Sequence, residues 1–202
     1  MTVVGLMLVA LIGYALLRVV TAYGVGYERS RLAARAAVIG RSFDAGTIQK
    51  LTGREADEST PAFRSIVARL VQQQTDNRDC RFIYLMGRKN GAVIFLADAT
   101  DPSSPDYSPP GEVYEEATPA LISSFATGEP FVEGPDTDRW GTWVSGLAPI
   151  RDPSGQRVVA ILGMDVNAAR WGITLGIGRT LAGLVTVLLA WAMRAFVRRV
   201  RA

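Results

Sequence analysis

The acidic side chains in the middle of the sequence are the groups with the clearest chemical potential. Asp98, Asp101, Asp106 and Glu112 lie in a proline-rich stretch that continues to Glu116. Clustered carboxylates could bind calcium, but their spacing does not match the loop of an EF-hand. A pair of carboxylates could also hydrolyse a glycoside, although a proline-rich loop gives no evidence of such a pair. We therefore interpret the stretch as a solvated acidic loop and expect no metal site.

Histidine is absent from the sequence, and Cys80 is its single cysteine. Catalytic triads that use histidine, histidine-ligated zinc and a phosphoacceptor histidine are therefore excluded within this chain. Cys80 lacks a histidine partner, so we expect an inert strand residue. Since no nucleophile motif is present either, we expect no enzymatic activity and no cofactor.

Charge is distributed unevenly along the chain. Of the 22 basic residues, six lie in or just beyond two apolar blocks at the ends; residues 28–170 hold the other 16 and all 19 acidic residues, hence a net charge of −3. This middle region has no basic cluster interleaved with aromatic residues, so we expect no nucleic-acid partner. The arginine-rich C-terminal end instead indicates an anchor that flanks a membrane.

Both apolar blocks predict transmembrane helices. Residues 2–17 are uncharged, the apolar character resumes after Arg18 as far as Tyr27, and residues 171–193 are interrupted only by Arg179. These lengths are close to the roughly 20 residues that cross a bilayer, and an arginine near one end can extend to the interface. A cleaved signal peptide is the alternative for the first block, although it lacks a basic N-terminal region.

Two spans place both termini on one side of the membrane. The short segment after the second span contains Arg194, Arg198, Arg199 and Arg201, which predicts that this side is the cytoplasm. The expected organisation is a transmembrane helix at 1–27, an extracytoplasmic domain at 28–170, a second transmembrane helix at 171–193 and a cytoplasmic basic segment at 194–202.

The middle region predicts three main helices, and Asp44 could cap a further short helix that ends before Gly53. Apolar residues at helical spacing continue from the first span through residues 29–43. A second amphipathic helix follows Thr60-Pro61, which is an N-cap followed by proline at the first helical position. A third, short helix begins at Thr118-Pro119 and ends at Gly128.

The same region predicts about five antiparallel strands. We expect strands at 81–88 and 92–98, joined through Asn90-Gly91, a short strand at 131–132, and a second hairpin of 142–150 with 157–165. Apolar residues on both faces of the first strand indicate a sheet that is covered on both sides. The fold class is therefore α+β, with the long helix on one face and the acidic loop and short helix on the other.

Six stretches carry a family resemblance. The sequence reads RFIYLMGR at 81–88, GAVIFLAD at 91–98 and PPGEVY at 109–114; it continues with EPFVEG at 129–134, WGTWVSGLAPIRD at 140–152 and VVAILGMDV at 158–166. In pattern, order and flanking apolar segments these resemble the Cache (PAS-like) sensor domains of bacterial sensor histidine kinases, diguanylate cyclases and chemoreceptors. The resemblance covers about residues 62–171. Such proteins usually continue into a cytoplasmic signalling module; this sequence ends at Ala202, as either a fragment or a sensor whose output lies elsewhere.

The resemblance implies a ligand pocket between the sheet and a lid that the loop and short helix form. A few convergent polar and aromatic groups hold small ligands in such sites. Asp165 ends the last strand, where the resemblance implies a carboxylate that contacts ligand, although it could instead cap the turn into the second span. Tyr84 and Trp143 could equally be core residues. The six candidate residues are Tyr84, Asp98, Tyr107, Tyr114, Trp143 and Asp165.

These observations together predict a sensory receptor region in a bacterial inner membrane. We expect it to bind a small extracellular ligand and to pass the signal to a cytoplasmic module of the histidine kinase or diguanylate cyclase type. The resemblance further implies a homodimer, which we expect to pack along the helix at 29–43. The alternative is a membrane-anchored protein-interaction domain without a small-molecule ligand.

Overall fold

The first helix, α1, extends over Thr2–Gly40, and the last, α5, over Ala168–Arg201. The computed structural model describes residues 2–201, without the side chains at 2, 3, 6, 170, 171, 173–175, 177–179, 193, 196, 197, 200 and 201. Met1 and Ala202, the outer ends of two predicted segments, lie outside the described residues. The chain divides into two units, one of Met1–Glu28 with Ala169–Ala202 and one of Arg29–Ala168.

In the first unit, α1 and α5 pack closely against each other. Val9 and Ala182 are buried, and a Cβ atom at Gly13 would overlap the side chain of Thr186. Most other apolar side chains of this unit are exposed, including Leu11, Tyr14 and Trp191. Water disfavours so large an exposed apolar surface, whereas the interior of a bilayer does not.

One helical stretch among the described residues, Met7–Gly40, is long and apolar enough to cross a membrane. In α5, the apolar run that the described residues contain is shorter, Thr180–Ala192. The first predicted span thus meets the length and composition of a membrane helix. The second span stays a prediction.

The second unit contains a five-stranded antiparallel sheet with the strand order β2-β1-β5-β4-β3. The predicted α+β class, with a central antiparallel sheet of five strands and a long N-terminal helix, is confirmed. The strands are β1 at Cys80–Lys89, β2 at Ala92–Asp98, β3 at Phe131–Asp138, β4 at Gly141–Arg151 and β5 at Val158–Asn167.

The three remaining α-helices begin at side-chain caps. Thr60 accepts a hydrogen bond from the Phe63 backbone at 3.2 Å, and Thr118 accepts one from Leu121 at 3.0 Å, as their sequence signals predict. Gly128 ends its helix in the left-handed conformation, with φ of 68°. The α-helices are α2 at Ala45–Ile48, α3 at Pro61–Asp76 and α4 at Pro119–Thr127, and a 3-10 helix lies at Glu55–Ser59.

Three predicted boundaries are wrong, and one of them is the end of β5, which lies at Asn167 rather than at Asp165. α1 ends at Gly40 rather than at Phe43. β3 has eight residues instead of the two predicted, and its second half is polar and largely exposed. Such an edge strand shows no apolar alternation, because backbone pairing with β4 rather than side-chain burial holds it in place.

The sheet is covered on both faces, as predicted. On one face Leu32 of α1 packs so closely on Gly146 that a Cβ atom at Gly146 would lie 2.8 Å from it. The apolar side of this helix is buried at Leu32, Ala36 and Ile39 and packs within the second unit. A homodimer along α1 would therefore need the opposite side, where Val38 is 60% exposed. The other face carries the cluster of Phe82, Tyr84, Met86, Val93, Phe95, Leu121, Trp143, Leu147 and Ile161.

Candidate ligand-binding pocket

A small cavity opens on the sheet face that carries this aromatic cluster. β1 and β5 supply its floor, because Phe82 lies opposite Asp165 and Tyr84 lies opposite Gly163 in the antiparallel register. Glycine is required at 163, since a Cβ atom there would overlap the Tyr84 ring. The cavity is lined by Phe82, Tyr84, Phe95, Asp98, Asp106, Ser108, Tyr114, Asp138, Trp140 and Asp165.

Asp165 is the most unusual group in the cavity. It is 5% exposed, and its Oδ1 accepts a hydrogen bond from the Tyr84 hydroxyl at 3.2 Å. Burial raises the pKa of Asp165 to about 7; the Ser145 and Tyr84 hydroxyls lower it, and the charges of Asp138 and Asp98 raise it further. The side chain therefore changes charge near neutral pH. It lies within β5, two residues before the strand ends, so the alternative of a cap for the following helix is wrong.

Asp98 holds the acidic loop against the end of β2. Its Oδ1 accepts a hydrogen bond from the Thr100 backbone at 2.9 Å, and its Oδ2 accepts one from Ser108 at 3.0 Å. Burial raises the pKa of Asp98, while the backbone bonds from Thr100 and Ser108 act in the opposite direction. Asp98 thus has a structural task and still contributes a carboxylate to the cavity wall.

Aromatic rings form the rest of the wall. Phe95 makes edge-to-face contacts with Tyr84, Tyr114 and Trp140 at centroid distances of 5.4, 5.7 and 6.0 Å. Asp138 places Trp140, because its Oδ1 accepts hydrogen bonds from the backbone of Trp140 at 2.8 Å and of Gly141 at 3.0 Å.

Arg139 connects the turn between β3 and β4 to the acidic loop. Its guanidinium pairs with Glu112 at 2.6 Å and lies 4.1 Å from the centroid of the Trp140 ring. This contact, which we call the Arg139 latch, fixes the turn that carries Asp138 and Trp140 over the cavity. Because Arg139 is partly exposed, solvent weakens the ion pair.

The cavity has an acidic lining with no lysine or arginine among its described residues. Arg81 lies nearby and pairs with Asp106 at 3.0 Å, which leaves Asp98, Asp138 and Asp165 without a basic partner in the lining. The space open to the centre of a water-sized molecule is about 20 Å³. That is room for about one water molecule, so a larger ligand needs the cavity to open.

Four of the six predicted site residues meet in this cavity: Tyr84, Asp98, Tyr114 and Asp165. Tyr107 does not line it and instead donates a hydrogen bond to Glu58 at 2.8 Å. Trp143 packs edge-to-face on Phe82 at 5.1 Å behind the wall, as its alternative reading as a core residue predicts. Its buried Nε1 has no hydrogen-bond partner among the described residues.

The sequence interpretation missed the residues that come from the turn between β3 and β4. Asp138, Trp140 and Gly141 were not recognised as a turn that points into the pocket. The signal available was an aspartate two residues before a tryptophan and three before a glycine, which favours a turn closed by the aspartate side chain.

No family model and no curated protein matches the sequence. The solved structures that resemble it include the ligand-binding domain of the Campylobacter jejuni chemoreceptor Tlp3 in complex with L-valine, at 15% identity and a TM-score of 0.47. The complex of that domain with L-norvaline gives 16% and 0.48. Each match covers 80% of this chain, and the chain spans about 60% of the length of those structures. These neighbours are chemoreceptor sensory domains; identity and TM-score this low assign neither family nor ligand to this chain.

Proposed function

We propose that this chain is the sensory region of a membrane receptor and that its pocket binds a small organic cation with an ammonium group. One observation carries the proposal: the buried carboxylate of Asp165 faces an aromatic cavity that also presents Asp98 and Asp138 and no basic lining residue. The proposed ligand-binding residues are Tyr84, Asp98, Tyr114 and Asp165, with Trp140 and Asp138 added.

The chemistry of these groups favours an ammonium ligand. A buried carboxylate without a cationic partner is costly, and a bound ammonium would remove that cost by pairing with the ionised form. An aromatic lining residue such as Tyr114 can attract a cation further, whereas one face of Trp140 already carries the Arg139 guanidinium at 4.1 Å. A carboxylate ligand would meet three aspartates and is therefore disfavoured.

Binding in so small a cavity requires movement of its walls. The turn held by the Arg139 latch is the element best placed to move, because an exposed ion pair and a ring contact hold it. A ligand that favours one position of this turn shifts the conformational equilibrium by its difference in affinity for the two states.

We further propose that this change passes to a cytoplasmic module of the histidine kinase or diguanylate cyclase type. β5 ends at Asn167 and α5 begins at Ala168, so no linker separates the strand from the helix. A direct connection of this kind has little slack in which displacement of Asp165 could be lost. The proposed arrangement has two membrane helices, an extracytoplasmic sensor unit, cytoplasmic termini and a homodimer.

Ligand binding is tested with the full chain in nanodiscs by calorimetry. We expect butylammonium to bind, and neutral butanol and anionic butyrate not to bind. Asp165→Asn should abolish the response, whereas Asp76→Asn, at an exposed position of α3, should leave it intact. Failure of every ammonium compound, combined with capture of a protein partner, would favour the alternative of a protein-interaction domain.

Topology is tested with reporter fusions. Reporters after Ala202 and within residues 101–110 should lie on opposite sides of the membrane, with the first in the cytoplasm. An extracytoplasmic signal at Ala202 contradicts both the orientation and the proposed direction of signalling.

Signal transmission is tested by inserting four glycines between Asn167 and Ala168. We expect ammonium affinity to stay within about twofold, because no proposed ligand contact changes, and ligand-dependent crosslinking of a cysteine introduced at Ala192 to disappear. Crosslinking that still responds to ligand after the insertion excludes a rigid connection.

A further inference from the structure

A second, larger cavity lies at the other end of the sheet. Its volume is about 430 Å³, which is within the usual range for a small-molecule site. It forms where β1 ends and β5 begins, whereas Asp165 lies near the end of β5. The residues that line this groove are Gln49, Arg88, Phe125, Arg157, Val158 and Val159.

An irregularity in β5 shapes the floor of the groove. Ile150 pairs with Ala160, but Arg151 pairs with Val158, so β5 contains one extra residue at this point. Such a bulge changes the direction of neighbouring side chains. Two consecutive valines, Val158 and Val159, therefore both reach the groove, where Phe125 of α4 completes an apolar surface.

The rim of the groove is basic. Arg88 donates only a long hydrogen bond, 3.4 Å, to the Gly91 carbonyl oxygen. Among the described residues, the ion pairs involve other arginines, so the guanidinium groups of Arg88 and Arg157 form no ion pair, although the charge of Arg157 lowers the pKa of Asp152. Asp152 lies near Arg157, but its carboxylate is already engaged by the Ser154 hydroxyl at 2.8 Å and the Gln156 backbone at 3.1 Å.

We propose that this groove is a second ligand site, which binds an organic carboxylate with a short apolar body. Guanidinium groups pair with carboxylates through two parallel hydrogen bonds, and Arg88 and Arg157 are available for this. Gln49 offers a further amide donor, and the apolar body lies against the valines and Phe125. The site selects a charge opposite to that of the ligand proposed for the Asp165 pocket.

The test measures benzoate binding to the full chain in nanodiscs by calorimetry, with neutral benzamide as the matched control. We expect benzoate to bind and benzamide to bind at least tenfold more weakly. Arg88→Gln and Arg157→Gln should each weaken benzoate about tenfold, because each removes a hydrogen bond between charged groups. The double variant should show no measurable binding.

Arg78→Gln is the matched control, since Arg78 is an exposed arginine in the turn before β1. It should leave benzoate affinity unchanged. All arginine variants are surface substitutions, and an unchanged melting temperature of each ligand-free variant shows that it folds. Equal affinities for benzoate and benzamide, wild-type affinity in the double variant, or no benzoate binding to the wild type would each overturn the proposal.

Discussion

The two cavities of the sensor unit use charge in opposite ways. The Asp165 pocket is small, with about 20 Å³ of free space, and its key carboxylate is 5% exposed. The groove at Arg88 and Arg157 is open, with about 430 Å³, and both its arginines are exposed. Burial makes the charge of Asp165 costly and titratable, while the guanidinium groups of the groove lie in solvent and carry no such cost.

The difference in free volume between the two cavities predicts how each site responds to ligand. A ligand larger than a water molecule must move the wall of the small Asp165 pocket, so its binding can change the conformation of the unit. A ligand in the open groove can enter without such movement. The pocket is therefore the better candidate for the signalling site, and the groove for a site that recognises ligand without a large rearrangement.

The largest expected effect is that of Asp165→Asn on the pocket. Loss of one partner of a buried charge pair costs about 2–5 kcal/mol, so ammonium affinity should fall at least 30-fold, an order-of-magnitude figure. At pH 8 the ligand-free variant should melt about 2–4 °C higher than the wild type, because a buried charge is replaced by a neutral amide. Calorimetry and thermal unfolding measure the two effects, with Asp76→Asn as the control. A parallel loss of affinity and melting temperature would indicate a purely structural role.

The second effect is pH dependence. The pKa of Asp165 is raised from 3.8 to about 7 in the folded state, so the folded chain holds a proton that the unfolded chain releases. Stability should therefore fall as pH rises through this window and level off above about 7. Ammonium affinity should rise with pH over the same range, by about tenfold per pH unit below pH 7, because the ionised carboxylate binds it.

Benzoate binding in the groove is the control for the pH dependence of ammonium binding at Asp165. Benzoate affinity should stay nearly constant from pH 6 to 8, since arginine remains protonated and benzoate remains ionised. Asp165→Asn should flatten the stability and ammonium profiles. If both ligands follow the same pH curve in the wild type, the contrast between a buried and an exposed charge is incorrect.

The third effect concerns the Arg139 latch. Arg139→Gln removes the ion pair with Glu112 and weakens the contact with Trp140, so ammonium dissociation should become about threefold to tenfold faster. Stability should change by no more than about 1 kcal/mol, because the pair is partly exposed. Stopped-flow kinetics measure the rates. Arg69→Gln is the control, since Arg69 also contacts an aromatic ring, that of Phe43 at 5.8 Å, in another part of the unit.

The smallest effect is expected for Tyr107→Phe. It removes the hydrogen bond to Glu58 and should cost about 0.5–1.5 kcal/mol of stability. Ammonium affinity should change by less than about twofold, because Tyr107 does not line the pocket. A larger loss of ammonium affinity would show that Tyr107 contacts the ligand, as the sequence predicted.

Local sequence signals predicted turns and helix starts well, because a single residue or dipeptide sets the backbone conformation there. The Asn90-Gly91 turn has φ values of 52° and 87°, as a two-residue hairpin requires. The caps at Thr60 and Thr118 likewise fixed two helix starts. The predicted β3 was too short, because backbone pairing with β4 extends the strand to Asp138 and no local sequence pattern indicates that pairing.

By itself, then, the sequence determined the α+β class, most element boundaries and the apolar character of the ends, because periodicity, turns and caps depend on near neighbours. The tertiary structure decided which polar residues share a cavity. Tyr84 and Asp165 are 81 positions apart and meet only through the pairing of β1 with β5. It also turned Tyr107 towards Glu58, brought Trp140 into the pocket lining and placed Arg88 and Arg157 in one groove. Burial and charge at such sites depend on contacts between distant segments, and those follow from the packing of the whole unit.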